Sequence, residues 1–166
     1  MSMTDKGTHR WLNLAHQYAI KHSGCCKVAV GTVLVDDMLG SDRAVAMGAN
    51  RTMPVLCNSS VQSCLRVQKY GDDSKVHRNP EDCRAIHSEI DAICYAARLG
   101  FITRRTTAYV TRYPCEACAR ALATAGVYRV IYGGTAEISP TTAEIFKTNN
   151  MLVTHVADWK EDNTDR

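Results

Sequence analysis

Apolar positions along the chain alternate between two periods. In residues 11–22, Trp11, Leu14, Ala15, Tyr18 and Ala19 recur at three- and four-residue spacing, which predicts an amphipathic helix. Residues 27–35 are rich in Val and predict a strand, and residues 44–50 predict a second. The stretch 36–42 between them holds Gly40 and reads as a turn, so these strands should pair as an antiparallel hairpin. Helical spacing returns from Ala85 through Ile86, Ile90, Ile93 and Ala97 to a stop at Gly100. Residues 106–112 predict a strand, and residues 114–125 a helix opened by Pro114 and stopped by Gly126. A strand at 127–132, a short helix at 141–148 and a strand at 151–156 complete the pattern. The order α-β-β-α-β-α-β-α-β implies an α/β fold: a three-layer α/β/α sandwich around a five-stranded mixed sheet. No repeat is visible. A single domain over 1–166 is expected, with its core at about 8–156 and a loose charged tail at 158–166.

Residues 51–83 interrupt this pattern. They are polar, show little periodicity and carry Cys57, Cys64, His77 and Cys83. So long an irregular stretch in a compact domain implies function or a pin, and four metal-binding side chains offer the pin. Composition changes the picture little. The apolar share of 45% and charged share of 22% are those of a soluble globular protein. A net charge of +3 suits a small anionic substrate as well as nucleic acid. No apolar run approaches the ~20 residues that span a bilayer, and residues 1–6 hold no apolar signal core. The expectation is a cytoplasmic protein with no membrane partner. In a reducing compartment, eight cysteines point to metal ligation rather than disulfides.

The chemistry concentrates in two short motifs, His87-Ser88-Glu89 and Pro114-Cys115-Glu116-Ala117-Cys118. Either alone is weak evidence. Together and in this order they match the signature of zinc-dependent nucleobase deaminases. His87, Cys115 and Cys118 supply three ligands of a tetrahedral Zn2+, which leaves a fourth position for water. Glu89 is not a ligand but a general acid–base beside that position. Residues two apart on a helix point about 200° apart, so His87 and Glu89 can share a site only if His87 lies at the very start of its helix. Cys115 and Cys118, three apart, face the same way around a first turn. Free N–H groups at both helix starts favour thiolates there.

Four stretches resemble the cytidine deaminase superfamily, most closely its deoxycytidylate (dCMP) deaminases, over about residues 8–156. Residues 23–31 (Ser-Gly-Cys-Cys-Lys-Val-Ala-Val-Gly) resemble the family's Ser-x-Cys-x-Arg-x-x-Val-Gly. Gly48-Ala49-Asn50 is similar to its Gly-Tyr-Asn. Residues 83–93 resemble Cys-x-x-x-His-Ala-Glu-x-Asn-Ala-Ile, and residues 109–118 resemble Tyr-Val-Thr-x-x-Pro-Cys-x-x-Cys. The resemblance implies deamination of a cytosine nucleotide, foremost dCMP to dUMP and ammonia. It implies substrate contacts from Asn50 (to the sugar 3′-hydroxyl), from Ser88 and Thr111 (at the base), and from Lys27 in the place of an Arg. It also implies a homo-oligomer, a hexamer foremost, with Arg98 near subunit contacts and nucleotide phosphates. The chain departs from the family in Ala49 for Tyr, Arg51 for Gly, Asp91 for Asn, and Tyr113 for a small residue close to the pocket.

A second, structural Zn2+ is expected on Cys25, Cys57, Cys64 and Cys83, fastening the irregular stretch to the core. Cys26 could stand in for Cys25, and His77 for one thiolate. Some dCMP deaminases carry a second zinc near this place. Cys94 reads as core packing. Two other functions share these motifs: a tRNA or single-stranded DNA deaminase, and a non-enzymatic zinc-binding module. The first needs a basic groove bearing aromatics, whereas the basic residues here are scattered, with Arg104-Arg105 the only adjacent Arg pair. Free nucleotide rather than nucleic acid is therefore the expected substrate.

Overall fold

A computed structural model of the chain describes residues 3–36, 42–52, 57, 60–71, 82–134 and 138–161, with side chains from residue 7 onward. Helix α1 spans Met3–His22, followed by strands β1 (Gly31–Asp36) and β2 (Arg43–Ala49). A short helix α2 (Leu65–Tyr70) lies in the Cys-bearing stretch. Then come α3 (Ser88–Leu99), β3 (Thr107–Val110), α4 (Glu116–Thr124), β4 (Arg129–Tyr132), α5 (Pro140–Thr148) and β5 (Leu152–His155). The sheet order is β2-β1-β3-β4-β5. β1 runs antiparallel to β2 and to β3, while β3, β4 and β5 are mutually parallel.

Strand alternation builds two cores, because successive side chains point to opposite faces. Leu34, Ala108, Val110 and Val130 meet Ala92, Ala96, Ala119, Leu122 and Phe146 from α3, α4 and α5. Val33, Val35, Tyr109 and Ile131 meet Trp11, Leu12 and Ala15 of α1 on the other face. The three-layer α/β/α sandwich with a five-stranded mixed sheet is thus present. Among the described residues, no helix is long and apolar enough to cross a membrane.

Several boundaries differ from the sequence pattern, among them the start of α1 at Met3 rather than near Trp11. Residues 27–30 do not join β1. The Asn50 side chain replaces a strand partner there: its Oδ1 accepts from Val30 N (2.8 Å) and its Nδ2 donates to Val28 O (2.8 Å). Helix α3 starts at Ser88, not Ala85, because Ile86 and Arg51 exchange two backbone hydrogen bonds that keep the chain extended up to His87. Residues 51–83 are not wholly irregular, since α2 forms within them. The tail is not loose from Asp158 onward. Trp159 is buried and donates through Nε1 to Asn13 Oδ1 (2.7 Å), and Asp158 pairs with His9. Cys94 is exposed on the outer side of α3 and is not core. His77 and Gly40 lie outside the described residues.

The sheet directions bring several segment ends to one edge. The start of β1, the end of β2, the end of β3 and the end of β4 all face the same side. Open α/β sheets bind ligands beyond the carboxyl ends of their parallel strands.

Helix α3 is pressed onto β2 at Gly48. A Cβ there would lie 2.1 Å from Ser88 O and 2.4 Å from Ala92 N, both backbone atoms. Gly48→Ala must therefore push the first turn of α3 off the sheet. The expected cost is about 1–3 kcal/mol, the scale of overpacking in a close-packed core. Because that turn follows His87, metal retention should fall as well. Thermal unfolding and metal content of the variant, compared with the parent, check both effects. An unchanged Tm would mean that the contact is not the constraint described.

Candidate active site

Two helix starts meet at this edge. His87 is the N-cap of α3, with extended φ −71° and ψ 152°, and Cys115 is the N-cap of α4, with φ −74° and ψ 170°. Neither side chain caps its own helix. Both turn instead into a shared site, joined by Cys118 one turn into α4. His87 Nδ1 lies 3.4 Å from Cys115 Sγ and 3.4 Å from Cys118 Sγ. Among the described residues, only His87, Cys115 and Cys118 bring three potential ligand atoms within 4.8 Å of one another. The helix-start geometry demanded by the His-x-Glu spacing is met. Pro114 does not open α4 from within, because it sits buried just before the N-cap.

The donor set fits zinc, since one imidazole and two thiols make an open, catalytic-type site. Its proton balance fits as well. A hydrogen bond from the Cys118 thiol, aided by His87, pulls the Cys115 thiol down to about 4. The same contact with Cys115, together with burial, pushes Cys118 up. Hydrogen bonding to Cys115, then to Cys83, raises His87 to about 10. Protons thus hold together three donors that face one another, and a cation would take the place of those protons.

Glu89 follows in the first turn of α3 and is buried. Burial pushes its pKa up. Its Oε2 accepts from Ser88 Oγ (3.1 Å), and Ser88 Oγ shares a hydrogen bond with Thr32 Oγ1 of β1 (2.8 Å). Both Ser88 and Thr32 are fully buried. The sheet therefore orients Glu89 through two hydroxyls. Thr32 had no signal in the sequence beyond lying in a Val-rich strand.

These groups line a cleft of about 800 Å³, together with Val28, Val30, Asn50, Arg112, Tyr113 and Ile138. That volume lies in the range of small-molecule sites, about 300–1,000 Å³. Asn50 and Ser88 lie on its wall. Asn50 is buried, and its Oδ1 also accepts from Ser23 Oγ (2.6 Å), so only one amide N–H is left to donate. Thr111 and Lys27 are not among the lining residues. Thr111 is fully buried, with Oγ1 accepting from Gly31 N (3.1 Å). Tyr113 reaches the cleft as a packed wall, edge-on to Tyr132 (4.9 Å between ring centroids) and Phe146 (6.1 Å). Arg98 is exposed, over the Tyr95 ring (5.8 Å), and away from the cleft.

Cys25, Cys26, Cys57, Cys64 and Cys83 line a second, small cavity beside α2, of about 20 Å³. That is space for one atom-sized guest. Burial, followed by the neighbouring Cys25, Cys64 and Cys57, pushes the Cys26 thiol up. The four expected structural ligands thus meet around one space, with Cys26 among them. Their sulfurs are not drawn together as at the first centre. Cys83 belongs to both cavities, and its hydrogen bond to His87 pulls its thiol pKa down.

The departures from the family pattern at 51 and 91 form one contact. Arg51 Nε donates to Asp91 Oδ2 (2.8 Å), which also accepts from Ala49 N (3.0 Å), and Arg51 Nη2 donates to Tyr18 OH (2.9 Å). The side chains that replace Gly and Asn therefore tie α1, the end of β2 and α3 together.

Known proteins share this architecture and these motifs. The chain is 33% identical to the deoxycytidylate deaminase of Mycobacterium phage D29 over 119 residues, which cover 69% of this chain and 84% of that protein. It is 27% identical to ComE operon protein 2 of Bacillus subtilis (strain 168) over 142 residues, covering 86% of this chain and 67% of that protein. The crystal structure of the dCMP deaminase from cyanophage S-TIM5 in complex with dCMP and dUMP superposes with a TM-score of 0.66. Its identity is 21%, with 94% of this chain and 99% of that chain covered. The family model for the cytidine and deoxycytidylate deaminase zinc-binding region matches residues 5–134, and the chain belongs to that family.

Proposed function

We propose that the protein hydrolyses dCMP to dUMP and ammonia. One observation carries the reading: a buried Glu89 stands beside the His87, Cys115 and Cys118 triad at the wall of a nucleotide-sized cleft. Family membership supports it, as do the deoxycytidylate deaminase of phage D29 and the nucleotides bound in the S-TIM5 enzyme. Zinc held by the triad would supply a water acidified towards a pKa of about 7. Glu89 takes a proton from the attacking water and passes it to the ring nitrogen next to the amino-bearing carbon. It then protonates the departing amine, so that each turnover consumes one water and releases one ammonia. Thr32 and Ser88 hold the carboxylate in line for both transfers. Asn50 offers its remaining N–H to the sugar, and the aromatic wall at Tyr113 shuts water from one side of the base.

Ammonia release from dCMP, CMP, dCTP, 5-methyl-dCMP, cytidine, deoxycytidine and single-stranded DNA tests the reading, with dCMP expected to give the highest kcat/KM. Glu89→Gln should retain its zinc and lose about 10²–10⁴-fold in rate, because an amide cannot shuttle protons. Preference for single-stranded DNA would sink the nucleotide assignment. Wild-type turnover in Glu89→Gln would sink the role of the carboxylate.

A second, structural zinc belongs to the same proposal. Four or five thiols around one atom-sized space are a donor set for zinc. Helix α2 buries none of its own residues, so it needs another anchor. Structural zinc can contribute ~10–16 kcal/mol to the folding of small domains, against backbone ordering costs of about 1–2 kcal/mol per residue. Purified protein should hold two zinc ions per chain. Cys57→Ser should hold one; it is a cleaner probe than Cys83→Ser, since Cys83 also touches His87. A single zinc per fully active chain would refute the second site.

Assembly is the last element. Tyr95, Leu99, Phe101 and Ile102 are exposed large apolar side chains on α3 and the turn after it, next to Arg98. A homo-oligomer, a hexamer by family resemblance, would cover this face and set Arg98 at a subunit contact. Sedimentation at working concentration should give an assembly that Arg98→Glu weakens, and a monomeric parent would end the idea.

A further inference from the structure

Two arginines on the cleft wall have no task in the proton transfers. Arg66 comes from α2 and Arg112 from the segment after β3, and both line the cleft that holds His87 and Glu89. The Nε of each is buried with no hydrogen-bond partner among the described residues. Buried N–H groups are paired in the great majority of cases, and an unpaired one carries a desolvation cost. Two such groups on the wall of one cleft mark a place where an acceptor is missing.

Among the described residues, the neighbouring carboxylates do not supply that acceptor. Asp82 feels the charge of Arg66, but its two oxygens are taken by Lys69 Nζ and Tyr70 OH. Glu116, also on the wall, is held by Arg120. Glu161 sits 3.8 Å from Arg112 Nη2, a loose pair that leaves Arg112 Nε unsatisfied. Lys27, another expected substrate contact, is not among the residues that line the cleft. Among the described residues, Arg66 and Arg112 are the Lys or Arg side chains that line the cleft.

The geometry points to Arg66 and Arg112 as the receptor for the 5′-phosphate of the substrate, with Arg66 setting the preference for nucleoside monophosphates over nucleosides. This rests on the dCMP reading above. A guanidinium presents its N–H groups as a planar fork that matches phosphate oxygens, and charge-assisted bonds of this kind are among the stronger ones. Arg66, Arg112 and Glu89 line the same cleft of about 800 Å³. Arg66 also lines the cysteine cavity. The Cys-bearing stretch thus does more than brace the core: it delivers the residue that reads the phosphate.

The test compares zinc-loaded wild type, Arg66→Ala, Arg66→Lys and Arg112→Gln, with zinc content and Tm as folding controls. In Arg66→Ala, the KM for dCMP should rise about ten- to a hundredfold with a smaller change in kcat. The ratio of kcat/KM for dCMP over deoxycytidine should fall by a similar factor. Arg66→Lys should recover part of the loss, because it restores charge without the fork. A dCMP-to-deoxycytidine ratio that is unchanged in Arg66→Ala with intact fold and zinc would overturn the assignment. Binding of inorganic phosphate, followed by calorimetry, separates this from the function itself. Phosphate that binds the wild type and not Arg66→Ala supports the anion site even if dCMP proves not to be the substrate. Equal phosphate binding by both overturns it even if dCMP is turned over.

Discussion

The molecule depends on making two helices begin at one point. His87 and Cys115 contribute to a common centre only because each is the last extended residue before a helix, and Cys118 joins them one turn later. A helix start is also where backbone N–H groups lie unpaired and the helix dipole is positive. That field favours two thiolates in a small volume, which would otherwise repel each other. The sheet enforces the convergence. Arg51 pairs with Ile86 and keeps the chain extended to His87, and Gly48 lets the first turn of α3 rest against β2 with no side chain between.

Around this point the polar groups are arranged in short, saturated chains. Thr32 holds Ser88, and Ser88 holds Glu89, so that a carboxylate whose pKa is raised by burial stays oriented. Asn50 spends its oxygen on Ser23 and Val30 and one N–H on Val28, which makes it a wall of the cleft as well as a splice between two strands. Asp91 and Arg51 replace residues of other character together. Either one alone would leave a partly buried charge without its partner, and breaking such a pair costs more than the pair contributes.

Helix α2 shows a different economy. It has no buried residue of its own, and it is tied to the segment before His87 by Lys69 and Tyr70 on Asp82. A six-residue helix is far too short to be stable alone. Its position, and with it the reach of Arg66 into the cleft, is set by those ties. Cys83 lines both cavities and touches His87, so the brace and the reactive centre share a wall.

Sequence periodicity alone determined the order of elements and the α/β class, because alternation and 3.6-residue spacing are local properties of the chain. Residue type and spacing also pointed to His87, Cys115 and Cys118 as one cluster, which the fold brings together, because tetrahedral zinc restricts the ligands it can use. The boundaries were legible only to a few residues. Long-range contacts moved them: Asn50 keeps residues 27–30 out of β1, and Arg51 delays α3 until after His87. Thr32, Arg66 and the anchoring of Trp159 carried no local signal at all. A buried threonine in a strand, an arginine in a short helix and a tryptophan near a charged terminus look ordinary until the fold brings their partners from 56 residues away for Thr32 and 146 for Trp159. Lys27 and Thr111 show the converse. Their motif positions suggested the substrate, but neither lines the cleft, and the Thr111 hydroxyl accepts from Gly31 N. Which side chains face the cleft is a property of how strands and helices cross, and no spacing along the chain encodes it.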